Sequence, residues 1–284
     1  MRPAAGLRFN STNVRNLAFR AWAALAPARA EAKVADLFAR PLRARGPRSA
    51  PLGQPFRVDS GVERLAAWDI GEGPTVLLVH GWNGHAGQMR AFVAPLVAAG
   101  FHVVSFDHPG HGASTGERAT LPILAEAVRA VAWRVRPVHG IIAHSLGAAA
   151  AALALARDVH AERAVMIAPP LEVTHFVRQF SASLGLPERL VPGVIARLRD
   201  EVGDLDAMDG RRVAPTLKAS LLVVHDPDDR EVPFAHGQAV AGAAPDARLL
   251  AVPGLGHRGP LRDPEVVEAA VSFLVGRDAA RAAA

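Results

Sequence analysis

The segment Ala143-His144-Ser145-Leu146-Gly147 places a serine between an apolar run and an alanine-rich stretch. A serine at a sharp corner between a buried strand and a helix is a nucleophile elbow. The turn exposes Oγ, and the first helical turn directs backbone N–H groups at a developing oxyanion. The usual pattern is Gly-x-Ser-x-Gly, and here Ala143 adds one methyl group at its first position. The alternative is that Ser145 is only the N-cap of the helix.

Four more segments carry polar residues or glycines at the ends of apolar runs. They are residues 77–84 (LLVHGWNG), 106–114 (FDHPGHGAS), 225–233 (HDPDDREVP) and 254–257 (GLGH). Together with the serine segment they resemble the α/β-hydrolase family, from about residue 56 to residue 276. Ser145, Asp229 and His257 follow one another in the chain order that this fold uses for its nucleophile, acid and base.

The resemblance implies a role for each residue in acyl transfer. Ser145 is a weak nucleophile until His257 takes its proton, and Asp229 would fix the imidazole tautomer and stabilise the imidazolium. The backbone N–H groups of Trp82 and Leu146 would form the oxyanion hole. No metal and no organic cofactor is implied.

The acid is the least decided member of this set. Asp226, Asp228 and Asp229 lie within four residues, and the default for two of them is a solvated loop carboxylate. The family places its acid four residues after the position of His225, which selects Asp229. Asp226 stands where a glycine is usual.

The other histidines have structural alternatives. His80 is expected to make a hydrogen bond that shapes the oxyanion loop. His108 and His111 lack a nearby carboxylate pair or third ligand, which argues against a metal site. His144 either borders the substrate pocket or fills space at the end of a strand.

The elements that must position these residues follow from hydrophobic patterning. After about residue 56, strand-like apolar runs alternate with helical periodicity, which is the signature of a mostly parallel sheet with helices on both faces. Strands at Val62–Asp69 and Thr75–His80 are predicted to form a hairpin or a close strand-to-strand link. The core is assigned to residues 56–169 and 214–284.

Residues 170–213 interrupt this alternation with helix-like apolar spacing and two prolines, which predicts a small helical cap. In the family, an insertion at this place shapes the substrate cleft, so Phe176 and Phe180 are candidate pocket residues. The alternative is that these side chains only pack the insertion.

The chain of 284 residues has 50% hydrophobic residues, no cysteine and a net charge of +5, so it is a folded protein without disulfides or thiolate metal sites. Ten arginines and Lys33 against three acidic residues give residues 1–60 a net charge of +8, which leaves −3 for the rest. This asymmetry argues against a nucleic-acid groove in the core.

Residues 1–55 are therefore interpreted as a basic helical arm and connector, with helices at Asn13–Ala26 and Ala28–Ala39 broken by Pro27. Val14, Leu17, Ala21 and Leu25 recur at helical spacing. They are expected to pack on the protein; the alternative is an interfacial amphipathic arm that meets anionic lipid.

These observations predict a serine carboxylesterase that acts on small lipophilic esters of short to medium acyl chains and contacts no nucleic acid. A serine aminopeptidase or amidase, or a catalytically silent binding protein of the same fold, are the alternatives. The expected location is the cytoplasm, with peripheral membrane contact through the arm as the variant.

Overall fold

The computed structural model describes residues 11–43, 53–61 and 63–276, which form two compact units. The helical unit joins the described residues up to Ala39 to Glu172–Leu205. The sheet unit joins Arg40–Leu171 to the described residues from Asp206 onward. The arm and residues 172–205 of the insertion, separate segments in the sequence analysis, thus belong to one unit, while residues 206–213 of the insertion belong to the sheet unit.

The sheet unit is built on eight strands in the order β1-β2-β4-β3-β5-β6-β7-β8. The strands are β1 Gln54–Asp59, β2 Arg64–Ile70, β3 Thr75–Val79, β4 His102–Phe106, β5 Val138–His144, β6 Arg163–Ile167, β7 Ser220–His225 and β8 Ala247–Ala251. β1 and β2 are antiparallel to their neighbours, and the remaining pairs are parallel. The predicted mostly parallel sheet is confirmed.

Of the two alternatives for the segment between β2 and β3, the hairpin is wrong and the short link is observed. β4 lies between them, with Phe106 opposite Ala67 of antiparallel β2 and opposite Val79 of parallel β3. Residues 71–74 make only a short link. Hydrophobic patterning also misses β1, because this edge strand contains Pro55 and its side chains are mostly exposed.

Helices cover both faces of the sheet. The helices of the chain are α1 Ser11–Leu25, α2 Pro27–Phe38, α3 Val93–Ala98, α4 Leu121–Val135, α5 Leu146–Arg157, α6 Val173–Ser183, α7 Val191–Val202, α8 Gly210–Val213, α9 Phe234–Ala243 and α10 Pro264–Val275. α3 and α10 pack with the strand residues Val76, Leu78 and Ile142 in one core. α4 and α5 pack together and contact β3, while α5 also contacts β5. A 3-10 helix, Ala86–Phe92, directly precedes α3.

The central strands are buried on both sides, and their sequences explain this. β3 is the run Thr-Val-Leu-Leu-Val with every residue buried, as expected for a strand with helices on both faces. The carboxyl ends of β3, β5, β7 and β8 meet at one edge of the sheet. The loops that follow these strands carry the candidate site residues.

The helical unit packs α2 against α1, α6 and α7. Val34 of α2 is fully buried, and Phe38 meets Phe180 edge-on at 5.6 Å between ring centroids. Glu31 pairs with Arg197 of α7 at 3.7 Å. The expected break at Pro27 is observed, since α1 ends at Leu25 and α2 begins at Pro27.

The expectation that the apolar stripe of α1 packs on the protein is wrong for the residues whose side chains are described. Leu17 is 69% exposed and Leu25 is 86% exposed, whereas Ala23 on the opposite side is fully buried. α1 therefore packs through small side chains and turns its large aliphatic ones outward.

Candidate active site

Ser145 occupies a strained corner between β5 and α5. Its backbone has φ +52° and ψ −128°, a region that L-residues rarely adopt and that is retained where surrounding structure enforces it. Its N–H donates to Ile167 O at 2.8 Å, which anchors the turn to β6. Ser145 is at the N-cap position, yet its hydroxyl makes no capping hydrogen bond. The N-cap alternative therefore does not account for this side chain.

The structure brings Ser145, His257 and Asp229 into one hydrogen-bonded chain. The Ser145 hydroxyl lies 3.0 Å from His257 Nε2, and His257 Nδ1 lies 2.7 Å from Asp229 Oδ2. With an ionised carboxylate as partner, Nδ1–H donates to Asp229 and Nε2 is left to accept the serine proton. His257 and Asp229 are buried, and Ser145 is half-buried.

Asp229 is held as a carboxylate by several donors. Its Oδ1 accepts the backbone N–H groups of Glu231 at 2.8 Å and Val232 at 3.0 Å. Burial alone would raise the pKa of Asp229, but hydrogen bonds from His225, His257 and Val232 hold this pKa far below its usual value. The carboxylate therefore stays ionised at any pH where the protein works.

The neighbouring aspartates differ sharply from one another. Asp228 is exposed, as expected for a solvated loop carboxylate. Asp226 is only 1% exposed, so the expectation that it points to solvent is wrong. Its carboxylate accepts backbone N–H groups from its own loop and from the loop that carries His257. The sequence signal that could have indicated this buried role is the residue type itself, an aspartate at a position where glycine is usual.

The candidate oxyanion loop runs directly against the nucleophile. A Cβ atom added to Gly81 would lie 3.0 Å from Ser145 Cβ and 2.9 Å from His144 Nδ1. One added to Gly147 would lie 2.2 Å from His80 O. Glycine is required at both positions, because each lies against the other segment. Trp82 follows Gly81 and Leu146 precedes Gly147, and their pairing as an oxyanion hole stays a prediction.

Neutral histidines fix the shape of this loop. His80 Nδ1–H donates to Gly81 O at 2.7 Å, while its Nε2 accepts the N–H of His108 at 3.0 Å. His111 Nε2 accepts the N–H of Asn83 at 3.1 Å. Burial lowers the pKa of His80 well below 6.5, and burial with the nearby His111 lowers that of His108 to about 3. Within the described residues, no group of His, Asp and Glu side chains is arranged to hold a metal ion.

Trp82 and the residues around His144 complete the surroundings of the serine. The half-buried indole of Trp82 packs edge-on against His111 at 5.5 Å. His144 is 3% exposed and its Nε2–H donates to the backbone oxygen of His257 at 3.0 Å. Its burial supports the strand-end role, its place at the border of the substrate pocket stays a prediction, and no sequence signal indicated the contact with His257.

Phe176 and Phe180 belong to the helical unit. Phe180 packs on Phe38, and the ring of Phe176 meets His175 edge-on at 5.1 Å. Their assignment to the substrate pocket stays a prediction.

The sheet unit contains an apolar pocket of its own against α5. It is lined by Ala148, Ala149 and Ala152 on that helix, by Pro169 and Pro170 after β6, and by further residues that are all uncharged, including Met166 and Met208. Ala148 and Ala149 are within one helical turn of Ser145.

Comparisons with known proteins agree with this architecture. The family model described as "Serine aminopeptidase, S33" matches residues 73–204. Human Protein ABHD12B is 27% identical over 71% of this chain, and the chain spans 60% of its length. A pimeloyl-[acyl-carrier protein] methyl ester esterase from Xanthomonas campestris pv. campestris is 29% identical. The match covers 66% of this chain and 89% of the length of that esterase. The structure of an esterase from Exiguobacterium antarcticum superposes with a TM-score of 0.60 at 17% identity, over 78% of this chain and 99% of the esterase.

Proposed function

Since this chain has the α/β-hydrolase fold, we propose that it is a serine hydrolase that cleaves carboxylic esters through an acyl-enzyme. The observation that carries the proposal is the hydrogen-bonded chain of Ser145, His257 and Asp229 at the carboxyl edge of the sheet. Such a chain supplies a nucleophile, a base within reach of its proton and a group that orients the base.

In the first half of the reaction, Ser145 Oγ attacks the ester carbonyl carbon as its proton passes to His257 Nε2. Asp229 stabilises the imidazolium that forms. The tetrahedral intermediate collapses when the C–O bond to the alcohol breaks, and the departing oxygen takes the proton from His257. Water then repeats these steps on the acyl-enzyme, releasing the acid and restoring Ser145.

The negative oxygen of each tetrahedral intermediate would be held by the backbone N–H groups of Trp82 and Leu146. Removing one donor of such a pair typically costs a factor of about 10²–10³ in kcat. The close approach at Gly81 and Gly147 supports this pairing, because it brings the loop before Trp82 against the first residues of the Ser145 turn and α5.

The surroundings of the serine support a small lipophilic ester as substrate. The side chains of Ala148 and Ala149, within one helical turn of the serine, are small and uncharged, which favours an uncharged acyl group over a charged one. Trp82 on the oxyanion loop narrows the space beside the scissile carbonyl. We expect p-nitrophenyl esters of short to medium acyl chains to be cleaved and tert-butyl esters to be cleaved poorly.

The test combines active-site labelling with a substrate series. A fluorophosphonate probe should label the wild-type protein and leave Ser145→Ala unlabelled, and kcat/KM should be measured over acyl length with tert-butyl acetate as the control. Absence of labelling in a folded wild-type protein would contradict the proposal. Efficient cleavage of tert-butyl acetate would contradict the interpretation of the pocket.

An aminopeptidase or amidase is the second candidate, favoured by the description of the matching family model. The same triad serves amides, and the distinguishing measurement is the ratio of kcat/KM for matched ester and amide substrates. A ratio in favour of amides would replace the esterase assignment. A catalytically silent protein of this fold would neither label nor turn over either substrate.

We also propose that the exposed face of α1 contacts an anionic lipid surface, where lipophilic esters reside. Leu17, Trp22 and Leu25 are exposed on this helix, which contains no acidic residue and carries Arg20, exposed as well. An apolar face flanked by arginine is the composition of helices that lie in the membrane interface. Among the described helices, none has the length and the apolar character of a membrane-spanning segment.

A further inference from the structure

The loop that carries His257 contains two glycines just before the histidine, Gly254 and Gly256. Gly254 and Gly256 have φ of +83° and +63°, and a side chain at either position would meet no neighbouring atom. Glycines in this region gain the most conformational freedom when a loop opens. The backbone N–H groups of such a loop therefore need partners elsewhere if the imidazole is to stay at one position.

Asp226 supplies those partners from the neighbouring loop. Its Oδ2 accepts the N–H of Gly256, the residue directly before His257, and its Oδ1 accepts the N–H of Asp228 at 2.7 Å. Burial alone would raise the pKa of Asp226, but hydrogen bonds from Asp228, Gly256, Gly254 and Leu255 hold this pKa below its usual value. The carboxylate is thus ionised and spans both loops.

The two loops are the ones that the proposed reaction needs in register. Asp229, three residues after Asp226, accepts from His257 Nδ1 at 2.7 Å, and His257 Nε2 lies 3.0 Å from Ser145 Oγ. A shift of the His257 backbone would disturb both contacts, because the same imidazole makes them. A displacement of about 1 Å at a reacting group costs on the order of 10²-fold in rate.

We propose that Asp226 is a positioning residue for the reaction, whose carboxylate holds the glycine loop before His257 in the geometry that brings Nε2 to Ser145. This inference rests on the proposed function of the triad. The inference assigns this role to Asp226 alone. The side chain of the nearby Asp228 is exposed and does not share it.

The test compares Asp226→Gly and Asp226→Asn with Asp228→Asn as the matched control. Asparagine keeps one acceptor oxygen but turns an N–H group toward the loop amides, so its effect should be intermediate. We expect kcat per fluorophosphonate-titrated serine to fall about 10- to 100-fold in Asp226→Gly, with KM within about two-fold of wild type. Asp228→Asn should leave both values unchanged.

A merely structural role gives a different result. In that case fewer molecules would be labelled, while kcat per labelled serine would stay at the wild-type value, and this outcome would overturn the proposal. If Asp226→Gly fails to fold, Asp226→Asn decides by the same ratio.

A second readout separates this inference from the proposed function. Amide hydrogen exchange at Gly254 and Gly256 should accelerate in Asp226→Asn and stay slow in Asp228→Asn, whether or not the protein turns over an ester. Equal protection of these amides in the two variants would overturn the proposal that Asp226 holds the loop before His257. A wild-type protein that shows no labelling would instead contradict the hydrolase proposal.

Discussion

The imidazole of His144 donates a hydrogen bond through Nε2 to the backbone oxygen of His257 at 3.0 Å. The two residues are 113 positions apart in the chain, and the bond ties the carboxyl end of β5 to the loop of the candidate base. Burial and the charge of His257 lower the pKa of His144 to about 3, so this donor is neutral and keeps its tautomer over the working pH range.

Replacing His144 with leucine should lower kcat about 10-fold or more, because the buried His257 oxygen loses its donor and the imidazole loses a restraint. The measurement is the pH dependence of kcat on a soluble ester. The acid limb of the profile should keep its midpoint, since His144 does not titrate near it. A midpoint shifted by a whole unit would mean that His144 exchanges protons in the reaction.

Replacing Ser145 with alanine should lower kcat by several powers of ten without unfolding the protein. Ser145→Gly should be equally inactive but more stable than Ser145→Ala. Glycine relieves the strain of φ +52°, which is worth about 1–3 kcal/mol before the flexibility of glycine in the unfolded chain is subtracted. Thermal unfolding of the two variants makes the comparison, and equal midpoints would show that the relieved strain is no larger than the cost of the added flexibility.

Replacing Asp229 with asparagine should cost about 10⁴-fold in kcat by presenting the wrong partner to His257 Nδ1. Asp228→Asn is the control on the same loop and should be nearly silent, since its side chain is exposed. Steady-state kinetics on one ester measures both. A larger loss in Asp228→Asn would place the acid one residue earlier.

Acid should destabilise the protein before the carboxylates begin to protonate. His108 has a folded pKa of about 3 against an ordinary value of 6.5, so the unfolded chain binds the extra proton in this window and stability falls as pH decreases through it. Neither ring nitrogen of His108 has a hydrogen-bond partner in the described structure. The slope of the unfolding free energy against pH measures the protons taken up on unfolding. In His108→Leu this slope between pH 6 and 4 should be smaller by about one proton. An unchanged slope, measured by urea titration at each pH, would contradict this assignment.

Replacing both Leu17 and Leu25 with serine should weaken binding to vesicles of mixed anionic and zwitterionic lipid at least 10-fold, since each buried leucine contributes about 1.5–3 kcal/mol. Leu249→Ser removes a half-exposed leucine of the sheet unit and is the matched control. Binding of the wild type should also weaken with added salt. Equal sedimentation with vesicles for both variants would contradict lipid contact through α1.

Patterns that repeat along the chain predicted the fold well. The central strands and α5 could be located because runs such as Thr75–Val79 are uniformly apolar and the alternation with helices is regular. β1 could not, because an edge strand with exposed side chains carries no alternation signal. The pairing of β2 with β4 was also beyond the sequence, since adjacency in the chain favoured β3 as its partner.

For the candidate site, too, some residues could be predicted from the sequence and others could not. Ser145, Asp229 and His257 were found because each stands in a recognisable local motif. His144 and Asp226 were not assigned their contacts, because both reach the His257 loop from segments far away in the chain. A single sequence has no local signature for a hydrogen bond of this kind. The exposure of Leu17 and Leu25 on α1 was predicted wrongly, because periodicity shows a stripe without showing what covers it.

The make-up of the helical unit has a consequence for synthesis on the ribosome. α2 ends at Phe38, but α6 begins only at Val173 and α7 at Val191, and α2 packs against both. At about 5–20 residues per second, the start of α6 emerges roughly 7 to 27 s after the end of α2, and α7 follows later. During that interval α2 has only α1 as a neighbour and Phe38 lacks its contact with Phe180, so the nascent chain presents an apolar surface that a chaperone or a bilayer can bind.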